Sequence, residues 1–223
     1  MRKWLFVLIL LGLAALTLPM TVGAFGLDVE AKAGAGIGLG TTDNKNITGA
    51  ARLAAGGGVG IDLFLLNAGP VTLGLSTGVE YSYLTFHSTD SNYQGYGLNV
   101  TTDATYNYIT VPIALVGSMP LSSSLRLVMR AGAFIGYFLN GSADLTGDVV
   151  QTSDLDSSNT EQWQYGLHFT AGADIDLGGN FSVSPALQFD MGLTDTSVNA
   201  VAGPYKDTFW SLTAIVGIKY KAM

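Results

Sequence analysis

The sequence predicts an all-β protein, an eight-stranded antiparallel up-and-down transmembrane β-barrel. Three observations lead there. The 223-residue chain has a mean hydropathy of +0.35 and only 12% charged residues, yet past residue 24 no apolar run approaches the roughly 18–20 residues of a membrane helix. Eight segments alternate apolar and polar side chains with a period of two. The connections between those segments alternate between short and long. A hydrophobic chain without spanning helices satisfies its backbone in lipid by closing a sheet on itself. A soluble barrel of the lipocalin type is the alternative. It would turn the apolar faces inward and would need no chain this apolar.

The composition excludes several function classes. Net charge is −7, from 10 Lys+Arg and 17 Asp+Glu, which argues against nucleic acid as a partner. With no Cys, disulfides, thiolate nucleophiles, Cys-ligated zinc and iron–sulfur clusters are removed. No cofactor is expected.

Residues 1–24 read as a signal peptide. Arg2 and Lys3 form a positive start, Trp4 to Leu18 an apolar stretch, and Val22-Gly23-Ala24 a small-residue cleavage site. Cleavage after Ala24 leaves residues 25–223 as one barrel domain of 199 residues. Losing two basic residues takes the net charge from −7 to −9. The destination is the bacterial outer membrane. A lipoprotein is excluded because no Cys follows the apolar stretch.

The eight predicted strands are Leu27–Gly40, Ala51–Leu65, Val71–Phe86, Thr105–Met119, Leu125–Leu139, Trp163–Leu177, Phe181–Leu193 and Phe209–Met223. In the first, Val29, Ala31, Ala33, Ala35 and Ile37 share one face; Glu30, Lys32 and four alternate glycines share the other. The fourth is broken by Pro112, which lacks an N–H, so a bulge or a missing ladder bond is expected there. Residues 67–70, 121–124 and 178–180 are tight turns rich in Gly, Pro, Asn and Ser. Residues 41–50, 88–104, 141–162 and 196–207 are expected as long polar loops on the extracellular side, with both termini periplasmic.

Charge divides unequally. The polar strand faces hold Asp28, Glu30, Asp62, Glu80, Asp174, Asp176 and Asp190 with Lys32, Arg52, Arg126, Arg130, Lys219 and Lys221, a net of −1. Loops and strand tips hold ten carboxylates against Lys45 and Lys206, a net of −8. An eight-stranded barrel is only wide enough to be filled by side chains, and buried charges need partners. The expectation is a lumen closed by an ion-pair network of Glu30, Lys32, Arg52, Glu80, Arg126, Arg130, Asp174, Asp190 and Lys219. Gly34, Gly36, Gly38 and Gly40 on the first strand are expected opposite Arg126, Arg130, Phe134 and Phe138 on the fifth, small against large. Tyr81, Tyr83, Tyr137, Trp163, Tyr165 and Trp210 near the long loops, with Tyr220 and Phe181 near the short turns, fit two membrane-interface girdles.

Tyr106-Asn107-Tyr108-Ile109-Thr110-Val111-Pro112-Ile113-Ala114-Leu115, followed by Leu127 to Leu139, resembles the small outer-membrane β-barrel families: OmpA-like, OmpX-like and the PorT-like outer membrane protein beta-barrel domain. Thr110 stands where the family pattern carries an acidic residue. The chain ends Lys221-Ala222-Met223, with Tyr220 the aromatic nearest the terminus. The resemblance implies outer-membrane lipid and the barrel-insertion machinery as partners.

Candidate chemistry is sparse. His87 with Ser88 and Asp90 falls at the outer rim on paper, a weak hydrolase pattern against a plain polar cluster. His168 falls on a lumen face as a hydrogen-bonded filler. Asp154, Asp156 and Glu161 could hold a divalent cation, but their spacing matches no calcium loop. No catalytic or metal site is assigned. The expected function is a non-enzymatic structural or surface-interaction role through acidic loops toward a host or matrix ligand; a narrow porin-like pore is the alternative.

Overall fold

The computed structural model describes residues 20–42, 44–93, 95–156, 160–195 and 207–222. Ten strands follow in chain order: β1 (Met20–Thr42), β2 (Ile47–Ala50), β3 (Arg52–Ala68), β4 (Val71–Tyr93), β5 (Leu98–Pro120), β6 (Leu125–Gly147), β7 (Gln151–Leu155), β8 (Trp163–Gly178), β9 (Phe181–Gly192) and β10 (Asp207–Lys221). Eight of them close a ring, β1-β3-β4-β5-β6-β8-β9-β10, with every neighbour antiparallel. The closing pair is β1 with β10, from Asp28–Lys221 to Thr42–Asp207. A closed ring leaves no open edge among its members.

The apolar face of each ring strand points outward. Leu115 is 69% exposed, and Val59, Ile113, Met129, Leu187, Val216 and Ile218 are exposed as well. The polar faces are buried, Lys219 completely. This is the reverse of a soluble barrel, and only lipid makes such an outer face favourable.

The three short turns lie where expected. Gly69 and the Gly178-Gly179 pair take positive φ, a region that favours glycine over side chains with a Cβ. Pro112 is buried and stays paired with Phe134 on β6. Toward β4 the ladder runs to Thr77–Ile113 and resumes in the same register at Glu80–Thr110. The interruption sits at Pro112, where a donor is missing.

Two of the expected loops are largely strand. β4 runs on to Tyr93 and β5 starts at Leu98, so 88–104 is a paired ribbon with a short turn. In 141–162, β6 continues to Gly147 and folds back through β7 onto itself. In 41–50, β2 pairs with His87–Asp90 of β4. Thr, Val and Tyr are frequent in these stretches and favour extended backbone. Beyond the membrane both sheet faces are wet, so the hydrophobic alternation that marks a strand disappears while pairing continues. Most of the fourth expected loop, 196–206, lies outside the described residues.

β1 begins at Met20, ahead of the expected cleavage point. Its register against β3 shifts between Val22 and Gly26 and is regular from Gly26 onward. The pairs that close the ring begin at Asp28.

Candidate functional site

The lumen is built in layers. Nearest the short turns, Phe64, Val116 and Val128 pack together, with the Arg126 guanidinium 5.5 Å from the Phe64 ring centroid.

Above them runs a chain of alternating charges. Arg126 donates to Asp28 and Asp174, both at 2.6 Å. Lys219 reaches Asp174 at 3.0 Å and Asp62 at 3.3 Å. Arg130 binds both oxygens of Asp62, at 3.0 and 2.7 Å, and Glu30 at 2.7 Å. Ser184 adds a 2.6 Å bond to Asp174. The sequence Asp28–Arg126–Asp174–Lys219–Asp62–Arg130–Glu30 begins and ends on β1, having visited β6, β8, β10 and β3. Each buried charge touches an opposite one, the condition under which burial is tolerated.

A second polar layer follows. Lys32 pairs with Glu80 at 2.6 Å and donates to the Gln188 carbonyl at 3.1 Å. The Gln188 amide donates to Glu80 at 3.2 Å and to Asp190 at 2.8 Å. His168 Nδ1 lies 2.7 Å from Asp190, and its Nε2 is 3.2 Å from the Thr170 hydroxyl. Toward the long loops the lumen turns aromatic: Tyr108, Phe134, Phe138 and Phe209 form a buried cluster with Ala54 and Leu84.

The outer membrane protein beta-barrel domain family matches residues 24–198. The chain belongs to that family. The match includes the Tyr106–Leu115 and Leu127–Leu139 stretches that carry the resemblance in sequence. Among solved structures the outer-membrane barrel is similar to Neisserial surface protein A, at 11% identity, TM-score 0.47, covering 90% of this chain and 99% of that one. It is also similar to the attachment invasion locus protein Ail of Yersinia pestis solved with the heparin analogue sucrose octasulfate, at 13% identity, TM-score 0.40, covering 87% and 99%. The outer membrane protease OmpT of Escherichia coli follows at 12% identity, TM-score 0.41, covering 93% and 99%. None of the curated proteins matches the sequence.

Of the nine expected network residues, eight lie in the two charged layers of this outer-membrane barrel. Arg52 does not. It opens β3 at the loop end, where its half-exposed side chain lies 2.9 Å from His87 Nδ1 and 3.8 Å from Asp103. Its parity along the strand is that of a lumen residue, but at that depth the barrel mouth is open to water. Moving Arg52 out leaves the lumen face with seven carboxylates and five cations, a net of −2 instead of −1. Asp28, Asp62 and Gln188 were not among the nine, though their alternation marks the same face.

The glycine stripe does not oppose the large residues of the fifth barrel strand, β6. A Cβ at Gly34 or Gly36 would strike the backbone of β10, and one at Gly40 would sit 3.2 Å from Phe86. Close neighbours from β4 and β10 cover these glycines. Arg126 and Arg130 instead cross to β1 below them, at Asp28 and Glu30. Phe134 and Phe138 join the cluster around Tyr108 and Phe209.

At the rim, His87 Nδ1 meets Asp103 at 2.7 Å instead of Asp90; the Asp90 carboxylate caps the Asn92 amide. Among the described residues no group of three His, Cys, Asp or Glu side chains is placed to hold a metal. Of the expected girdle, Tyr81, Tyr137, Trp163, Tyr165 and Tyr220 are exposed, and Tyr83 and Trp210 half-buried. Tyr137 packs edge-on against Trp163 at 5.1 Å, and Phe181 lies 5.2 Å from Tyr220.

Proposed function

We propose that this outer-membrane barrel is a non-enzymatic envelope protein with a closed lumen, which stabilises the membrane and meets partners through its acidic extracellular end. The observation that carries this reading is the alternating charge chain that crosses the lumen twice between β1 and β6. Its members bond to one another, so no row of free charges lines a path for solutes. In planar bilayers the purified barrel is expected to give no large, stable unitary conductance. Large steps would return the narrow porin-like pore.

The partner surface is the paired ribbon of β4–β7 beyond the membrane. With Arg52 counted there, loops and rim carry ten carboxylates against three cations. Such a field repels sulfated or phosphorylated polymers and draws basic ones, so the host or matrix ligand expected is a basic polypeptide. Replacing 141–162 by a two-residue turn should abolish binding to immobilised basic matrix protein; unchanged binding would remove the ribbon as the contact surface.

Export with loss of residues 1–24 is part of the same reading. Intact mass of the outer-membrane form is expected to correspond to a chain starting at Phe25, with every ring-closing pair from Asp28 onward retained. Insertion would rely on β10, whose Tyr220 is the outward aromatic nearest its end.

A further inference from the structure

We infer that Tyr96 is the anchor of the partner surface and takes a guanidinium or ammonium group of a basic polypeptide on its ring face. The inference rests on the proposed acidic contact surface and names the side chain that holds the partner there. Most exposed large hydrophobic residues lie on the lipid face or at its two borders. Tyr96 and Val150 do not. They are the two most exposed among the described residues, at 76% and 82%, and they stand at the outermost end, beyond the girdle of Tyr81, Tyr137 and Trp163. Lipid does not reach them there, so covering this surface takes a partner.

The two residues belong to neighbouring turns. Tyr96 lies between β4 and β5, in a turn closed on the Tyr93–Leu98 pair. The Asn92 carbonyl accepts from the Gly95 N–H at 2.9 Å, the Asn92 side chain accepts from the Gly97 N–H at 2.8 Å, and the Tyr93 carbonyl accepts from the Tyr96 N–H at 3.1 Å. Gly95 and Gly97, both at positive φ, flank the tyrosine. Val150 lies between β6 and β7. One step beyond the Val100–Gly147 pair, the Asn99 N–H donates to the Asp148 carboxylate at 2.8 Å and the Asp148 N–H donates to the Asn99 carbonyl at 3.0 Å. That reciprocal pair ties the two turns side by side. A ring carried on a turn already closed loses little freedom when it is covered, which is what suits tyrosine to anchoring.

Charge selects the partner. Among the described residues of 44–52, 87–103 and 141–156, six carboxylates stand against Lys45 and Arg52. Such a field draws a cationic chain and repels an anionic one. The Tyr96 ring stacks on no other ring or cation among the described residues, so its face, the negative part of the ring quadrupole, is open. A cation brought to that face gains most where apolar neighbours exclude water from the contact. Val150, with the half-buried Tyr93, Leu98 and Val149, supplies those neighbours. An open aromatic face within an acidic surround fits an arginine- or lysine-bearing segment. A purely apolar partner would use the ring and Val150 but leave the carboxylates without a role.

The test uses the mature barrel in phosphatidylcholine nanodiscs, which leave its extracellular end free. Fluorescein-labelled nona-arginine is the probe and nona-glutamate the control; the first should bind and the second should not. Tyr96→Leu keeps much of the apolar area but removes the ring, and should raise Kd about 5- to 30-fold. Tyr96→Phe keeps the ring face and should stay within about twofold of wild type. Neither should move the unfolding midpoint, because the side chain is exposed. Arginine Hδ resonances of the bound probe should shift upfield with wild type and Tyr96→Phe, and not with Tyr96→Leu. Equal Kd for wild type and Tyr96→Leu would overturn the anchor; if replacing 141–162 still abolished binding, the ribbon would remain the contact surface without it. A loss in Tyr96→Phe as large as in Tyr96→Leu would assign the contact to the hydroxyl and overturn the ring-face reading. No binding of nona-arginine by the wild type would overturn the anchor and the basic partner together. A loss in Tyr96→Leu, with full binding after replacement of 141–162, would keep the anchor and remove only 141–162 from the contact surface.

Discussion

Arg130→Met should destabilise the folded barrel by about 3–5 kcal/mol, the scale for removing one partner of a buried ion pair. Arg130 holds both oxygens of Asp62 and one of Glu30, and its side chain is 7% exposed. Methionine fills much of the same volume but leaves two carboxylates facing each other in a dry layer. Glu30 would lose the one cation it pairs with among the described residues, while Asp62 would keep Lys219 at 3.3 Å. Combining Arg130→Met with Glu30→Gln and Asp62→Asn removes the stranded charges and should recover most of the loss. Urea unfolding in lipid vesicles, followed by the fluorescence of Trp163 and Trp210, measures both. A single-variant loss below about 1 kcal/mol would show that water already solvates this layer, and the closed lumen would fall with it.

Leu115→Arg is expected to cost about 2–4 kcal/mol, as a charge on the lipid face near the middle of the bilayer does. Leu115 lies on β5, five residues above the turn end of that strand, and is 69% exposed. Val150 is its control. It sits in the β6–β7 connection at the extracellular end and is 82% exposed. Val150→Arg should change stability by no more than about 0.5 kcal/mol. The two side chains are nearly alike in exposure, so only the medium around them separates the outcomes. Equal effects would mean that both face water, and the membrane assignment would be lost.

How far the fold could be read from residues follows from what lipid demands. Inside the bilayer each strand must be apolar on one face and tolerate polarity on the other, so Leu115, Val216 and Lys219 announce their sides by alternation alone. In the ribbon of β4 and β5 beyond residue 88, water wets both faces, and Thr89, Thr101 and Thr102 carry no such mark. Those stretches look like loops until pairing partners are known. Parity gives Arg52 the side of a lumen residue, but parity contains no depth. A long side chain at the barrel mouth follows water outward to His87 and Asp103.

The sequence by itself determined the class of fold, the eight ring strands and the outward direction of the apolar faces. These are properties of period, sign and composition, which act over a few residues. Tertiary structure decided who pairs with whom: Arg130 with Glu30 and Asp62 across the barrel, and glycines covered by neighbours instead of by the opposite wall. Partners across a closed cylinder lie far apart in the chain: Arg130 and Glu30 by 100 residues, Lys219 and Asp62 by 157. Strand tilt and shear set their relative height, and no local pattern of side chains encodes it.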